Sequence, residues 1–176
     1  MSHQPFRKPA GGNIDRGQPL TFTFDGKVYQ GYSGDTLASA LMANGVKLLA
    51  RSFKYHRPRG LTGYGVEESN VLVQLRTGAC SEPNIPATRV ELYEGLVAES
   101  QNRWPSLHFD IGAVNSKLSG LFPSGFYYKT FMWPAAMWMK YEHVIRHAAG
   151  LGKAADDHDD PDRYEKTHAH CDVLVL

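Results

Sequence analysis

Cysteine is scarce in this chain of 176 residues: there are two, Cys80 and Cys171, far apart. Two cysteines cannot form a disulfide framework. The opening "MSHQPFRKPAGG" has no apolar segment of the secretory type, so a reducing, cytoplasmic setting is expected. No run reaches the roughly 18 apolar residues of a membrane span. Charge of one sign is also missing. Nineteen basic and 18 acidic residues leave a net charge of +1, so no global field favours nucleic acid or an anionic membrane. Glycine-rich nucleotide signatures are absent too, because "GLTGYG" does not follow a strand. No Ser/His/Asp or Cys/His set has an interpretable arrangement. The acid run at 156–162 lacks the glycine and terminal glutamate of an EF-hand. His168, His170 and Cys171 lack the two separated pairs of a structural zinc site.

What is present suits one domain, or a small domain with an extension. The chain is long enough to bury a core without a metal or disulfides. Residues 1–19, rich in Pro, Gly and basic side chains, read as an extended arm. From Leu20, "LTFTF" alternates with period two and predicts a strand. Asp25-Gly26 is a hairpin signal because both turn residues need positive φ, and "KVYQGY" is the returning strand. In "SGDTLASALMANG", Asp35 is the expected N-cap. Leu37, Leu41 and Met42 form the expected apolar face with Ala40 close by, and Asn44-Gly45 is the stop. "NVLVQLR" predicts a third strand, "GACSEPNIPA" a loop and "TRVELYEG" a fourth strand. "GLVAESQN" closes residues 20–102, which read as a small α+β sheet with one helix packed across it.

Residues 103–152 are aromatic and proline-interrupted. Pro134 is expected at the first position of a helix. That helix carries Met137, Tyr141, Val144 and Ala148 on one face, a pattern that points to packing more than to a cofactor pocket. Residues 153–170 read as a polar linker. In "CDVLVL", residues 171–176, Asp172 before an apolar run reads as the start of a buried parallel strand. That strand is then cut off, and the chain is expected to be incomplete.

Two stretches could carry chemistry. In "TGYGVEESN", Thr62, Glu67 and Asn70 occupy the x4 and x2 spacing of a plant-type 2Fe–2S loop, with Gly63 and Gly65 between them. Thr88 stands for the distant fourth ligand. None of the four is a thiolate, so no metal is expected there. "RSFKYHRPRG" carries Arg51, Lys54, Tyr55, His56, Arg57 and Arg59 with no acid. Such a run could contact a subunit or domain, hold an anionic group, or bind single-stranded nucleic acid by stacking and phosphate contacts. The first is favoured, because small basic runs usually serve structure.

Several long segments make the chain recognisable. "GDTLASALMANGVKLLARSFKYHRPRG", "GVEESNVLVQL", "GFYYKTFMWP" and "HCDVLVL" resemble the N-terminal region of the α subunits of heterotetrameric sarcosine oxidases, from about residue 13 onward. The resemblance implies a β-grasp, ferredoxin-like domain without its cluster cysteines, then a helical, aromatic-rich extension and a truncated first Rossmann strand. It implies no catalytic residues in this chain, which would be a scaffold. The full complex would demethylate sarcosine to glycine with FAD, FMN, NAD and tetrahydrofolate, together with β, γ and δ subunits. A related amine or amino-acid dehydrogenase subunit is the alternative, and a free-standing nucleic-acid-binding module is the remaining one. Phe126, Tyr127, Tyr128, Phe131, Trp133 and Trp138 would pack against the rest of the subunit or another subunit.

Overall fold

Five strands form one sheet, in the spatial order Lys27–Ser33, Asp15–Phe24, Val97–Ser100, Leu72–Leu75 and Glu82–Pro86. The structure, a computed structural model, describes residues 4–121 and 133–148, and beyond them 150–152, 154, 155, 159, 161, 163, 166–168 and 170–173. Strand β1 (Asp15–Phe24) turns into β2 (Lys27–Ser33) through Asp25 and Gly26, whose φ values are 48° and 74°. This is the hairpin the Asp-Gly pair predicts, although β1 begins five residues before "LTFTF". The alternation does its expected work: Phe22 and Phe24 are buried, and Phe22 stacks on Tyr29 of the opposite strand at 5.8 Å.

Helix α1 (Leu37–Ala43) lies across the sheet, and two expectations for it change. Its N-cap is Thr36, in a reciprocal capping box with Ser39. Asp35 is drawn inward instead, where its carboxylate accepts from Arg7 at 2.8 and 2.6 Å, from the Ser39 hydroxyl at 2.7 Å and from the Tyr32 amide at 3.0 Å. A carboxylate committed to a cation cannot also cap. Burial raises its pKa, but the Arg7, Ser39 and Tyr32 contacts win and hold it below the usual value. The buried face is Leu37, Ala38, Ala40, Leu41 and Ala43, whereas Met42 is exposed. Asn44 and Gly45 end the helix as expected, with Gly45 at φ 81°.

Two short strands, β3 (Ala50–Arg51) and β4 (Pro58–Arg59), pair separately as a small hairpin. The main sheet resumes with β5 (Leu72–Leu75), inside the predicted third strand. The order after it differs from the sequence reading. "GACSEPNIPA" is not a loop throughout: its Glu82–Pro86 forms β6, antiparallel to β5. "TRVELYEG" is not a strand, because Ala87–Arg89 is a 3-10 turn and Glu91 makes only an isolated bridge to Thr36. β7 (Val97–Ser100) falls in "GLVAESQN" and runs between β1, parallel, and β5, antiparallel. A central strand needs partners on both edges, a requirement its composition does not reveal. Val71, Val73, Leu75, Leu96 and Ala98 meet Phe22, Phe24, Leu37 and Leu41 in one core.

Beyond Asn102, short turns lead to α2 (Val114–Lys117). Pro134 has extended backbone ahead of a 3-10 turn, outside the helical position expected of it, and α3 (Trp138–Ala148) follows. Its half-buried side chains include Trp138, Tyr141 and Ile145, while Val144 is 69% exposed. Trp133 is exposed, and Phe126, Tyr127, Tyr128 and Phe131 lie outside the described residues. Cys171 to Val173 have no strand assignment, and 174–176 lie outside the description. No helix among the described residues is long and apolar enough to cross a membrane.

The split along α1 is testable by urea unfolding. Leu41→Ala is expected to cost about 2–5 kcal/mol, as removal of a fully buried leucine does. Met42→Ala is expected to change stability by about 0.5 kcal/mol or less, in the range of surface substitutions. Equal costs would contradict this packing.

Candidate functional site

The glycine-punctuated loop at 62–70 is organised from within by an acid that the cluster spacing does not single out. Glu68 is 2% exposed. Its carboxylate accepts from the backbone amides of Thr62 at 2.6 Å, Gly63 at 2.8 Å and Asn70 at 2.6 Å. The Thr62 hydroxyl adds longer contacts at 3.3 and 3.4 Å. A buried carboxylate would normally be pushed up in pKa by desolvation. Burial acts that way on Glu68, but the amides of Gly63, Asn70 and Thr62 together outweigh it and leave the pKa lowered. Glu68 therefore remains ionised at neutral pH without needing a cation.

Around it, the four cluster-spaced residues each hold part of the loop: Thr62 and Asn70 meet, whereas Glu67 and Thr88 bond to backbone at the loop's tip. The Asn70 side-chain amide donates to the Thr62 hydroxyl at 2.8 Å. Thr88, buried in its 3-10 turn, donates its hydroxyl to the Gly65 carbonyl at 2.8 Å. Glu67 is exposed and accepts from the amides of Tyr64 and Gly65, both at 3.0 Å. Its own amide, together with those of Gly65 and Tyr64, lowers its pKa. A 2Fe–2S cluster requires thiolate ligands. Two hydroxyls, an amide and an outward carboxylate supply none, and the Glu68 carboxylate takes up the loop's converging amides. The residues present do not fit the group. Among the described residues no set of three or more His, Cys, Asp and Glu could hold a metal ion.

The basic run is divided by the structure into an inward and an outward half. Arg51 donates to the Leu107 carbonyl through Nε and a terminal nitrogen, and to the His56 carbonyl at 3.0 Å. His56 is buried, with Nδ1 at 2.7 Å from the Asp110 carboxylate. Asp110 also accepts from the amides of Trp104 and Gly112, both at 3.1 Å, and lies 3.9 Å from Arg51. These two bases thus clamp residues 104–112 onto the β3–β4 hairpin. Lys54, Arg57 and Arg59 are exposed, and the first two lie over the Tyr55 ring at 5.0 and 4.8 Å. The acid that pairs with His56 lies 54 positions away, beyond any local pattern. Glu68 had a local signal, a second acid among glycines whose free amides need an acceptor.

The lowered pKa values set an acid-side dependence. A carboxylate with a folded pKa below its unfolded value of about 4.3 contributes stability above that pH and loses it as pH falls through the folded value. Unfolding of the Glu68→Gln variant is expected to show a shallower loss of stability between neutral and strongly acid pH than the parent chain. An identical acid limb, followed by circular dichroism, would contradict the Glu68 geometry.

Residues 17–103 match the family described as 2Fe-2S iron-sulfur cluster binding domain. The chain is 62% identical over 172 residues to the sarcosine oxidase subunit alpha of Rhizobium meliloti (strain 1021), covering 97% of this chain and 17% of that relative. It is 40% identical over 92 residues to the sarcosine oxidase subunit alpha of Corynebacterium sp. (strain U-96), covering 51% of this chain and 10% of the relative. Among solved structures, L-proline dehydrogenase from P. horikoshii aligns at 28% identity and a TM-score of 0.37, over 48% of this chain and 16% of that one. A score that low carries no argument here. The chain therefore spans about a sixth of the Rhizobium relative's length. Over residues 17–103 the chain is similar to 2Fe–2S iron–sulfur cluster binding domains, and over nearly its whole length it is similar to about a sixth of a sarcosine oxidase alpha subunit.

Proposed function

We propose that this chain is a non-catalytic structural region of a sarcosine oxidase alpha subunit, built on a ferredoxin-like domain that has given up its cluster. The observation that carries the reading is the loop at 62–70, where three of the four cluster-spaced positions lie: neither they nor Thr88 is a thiolate, and the amides of Thr62, Gly63 and Asn70 are already taken by Glu68. Relatedness to sarcosine oxidase alpha subunits along nearly the whole chain supports the subunit assignment. In this reading FAD, FMN, NAD and tetrahydrofolate are bound elsewhere in the complex, and sarcosine is demethylated to glycine there. The domain contributes packing surface to the rest of the alpha subunit and to β, γ and δ subunits, in a cytoplasmic enzyme.

Surface chemistry supports a packing role. Trp104, Phe109, Ile111 and Val114 are exposed at 66, 67, 46 and 53% within one short stretch. Large apolar side chains gain roughly 25 cal/mol per Å² when covered. Lys54, Arg57 and Arg59 lie on the outward side of the basic run and suit an acidic neighbour. Nucleic acid is disfavoured, because the Tyr55 ring that would stack on a base carries Lys54 and Arg57 over it. The second reading, a dehydrogenase subunit for another N-methyl or secondary amine, has the same domain and differs only in substrate.

The full-length alpha subunit assembled with its partners is expected to oxidise sarcosine in preference to other secondary amines. Preference for a different amine selects the second reading. The 176-residue chain purified anaerobically is expected to carry no iron or acid-labile sulfide. Stoichiometric amounts of both would refute the scaffold role.

A further inference from the structure

We infer that the Glu68 carboxylate is the permanent internal anion of the 62–70 loop, accepting the hydrogen bonds and filling the space that an iron–sulfur cluster would claim. The inference rests on the cluster-free reading above and adds the residue that made the change tolerable. A loop shaped to wrap an anionic cluster turns its backbone N–H groups inward, and hydrogen bonds to the sulfurs are part of how such clusters are held and tuned. Convergent backbone amides form an anion-binding concavity whatever the anion is. Replacing the thiolates with Thr, Glu and Asn removes the metal but not the amides. Left buried without acceptors, each amide would cost free energy.

Glu68 resolves that conflict. One of its carboxylate oxygens takes the amides of Thr62 and Gly63 at 2.6 and 2.8 Å, and the other takes the Asn70 amide at 2.6 Å. The donors come from both ends of the loop, so a single side chain closes it. The neighbouring acid does not do this: Glu67 is exposed and accepts from its own amide and from the tip amides of Tyr64 and Gly65. The Glu68 pKa is lowered despite burial, as it should be for a carboxylate seated among donors. Asn70 and Thr88, at two former ligand positions, tie the loop to itself through Thr62 and Gly65. A filled cradle of this kind is closed to iron even when ligands are restored.

The test is made on the 176-residue chain by hydrogen exchange at assigned amides. Glu68→Gln is expected to speed exchange at Thr62, Gly63 and Asn70 by about tenfold or more, the scale of one lost charge-assisted hydrogen bond. Glu67→Gln is expected to leave those three amides unchanged. Unaltered exchange in Glu68→Gln, or equal changes in both variants, would overturn the inference. A second arm remains decisive if Glu68→Gln fails to fold. The chain carrying Thr62→Cys, Glu67→Cys, Asn70→Cys and Thr88→Cys is treated with iron and sulfide, with Glu68 kept or changed to Gly. Cluster absorption is expected only with Glu68→Gly, and equal absorption in the two would overturn the inference. Iron found in the unaltered chain would instead refute the cluster-free reading itself, so the two failures can be told apart.

Discussion

A carboxylate removed from water has to be matched by donors, and the parts of this molecule outside the sheet are arranged around that requirement. Three buried acids each capture a segment that hydrophobic packing alone would leave loose. Asp35 holds the arm through Arg7, Asp110 holds the basic hairpin through His56 and Arg51, and Glu68 holds the glycine loop through its own amides. Desolvation of an ion is expensive unless its lone pairs are met by well-placed partners. The short contacts at all three sites show that requirement satisfied.

The same constraint divides the basic run by burial. Arg51 and His56 bond internally to residues 104–112, while Lys54, Arg57 and Arg59 are exposed. A sequence of alternating bases and aromatics is therefore only half a surface. The clamped segment itself leaves large apolar side chains exposed, Trp104 and Phe109 among them.

The hairpin was legible because Asp25-Gly26 can only be a tight turn and because Phe22 and Phe24 alternate with threonine. The helix was legible in position but not in its cap: aspartate is the stronger cap residue, but Asp35 is held by the distant Arg7, and Thr36 caps in a box with Ser39. The strand at 82–86 was hidden by two prolines, which an edge strand tolerates. The strand at 97–100 was hidden because its partners come from both ends of the domain. Thr62, Glu67 and Asn70 stand out by their x4 and x2 spacing. Glu68 does not, because that spacing says nothing about which acid takes the loop's amides; its only signal is its place among glycines. Asp110 had no local signal at all.

The most direct measurement is the titration of the Glu68 side-chain carboxyl carbon by NMR in the unaltered chain. The account predicts a midpoint below the ordinary glutamate value of about 4.3, with the amide protons of Thr62, Gly63 and Asn70 shifting in step. A midpoint at or above that value, with those amides indifferent to it, would contradict a loop built around this carboxylate.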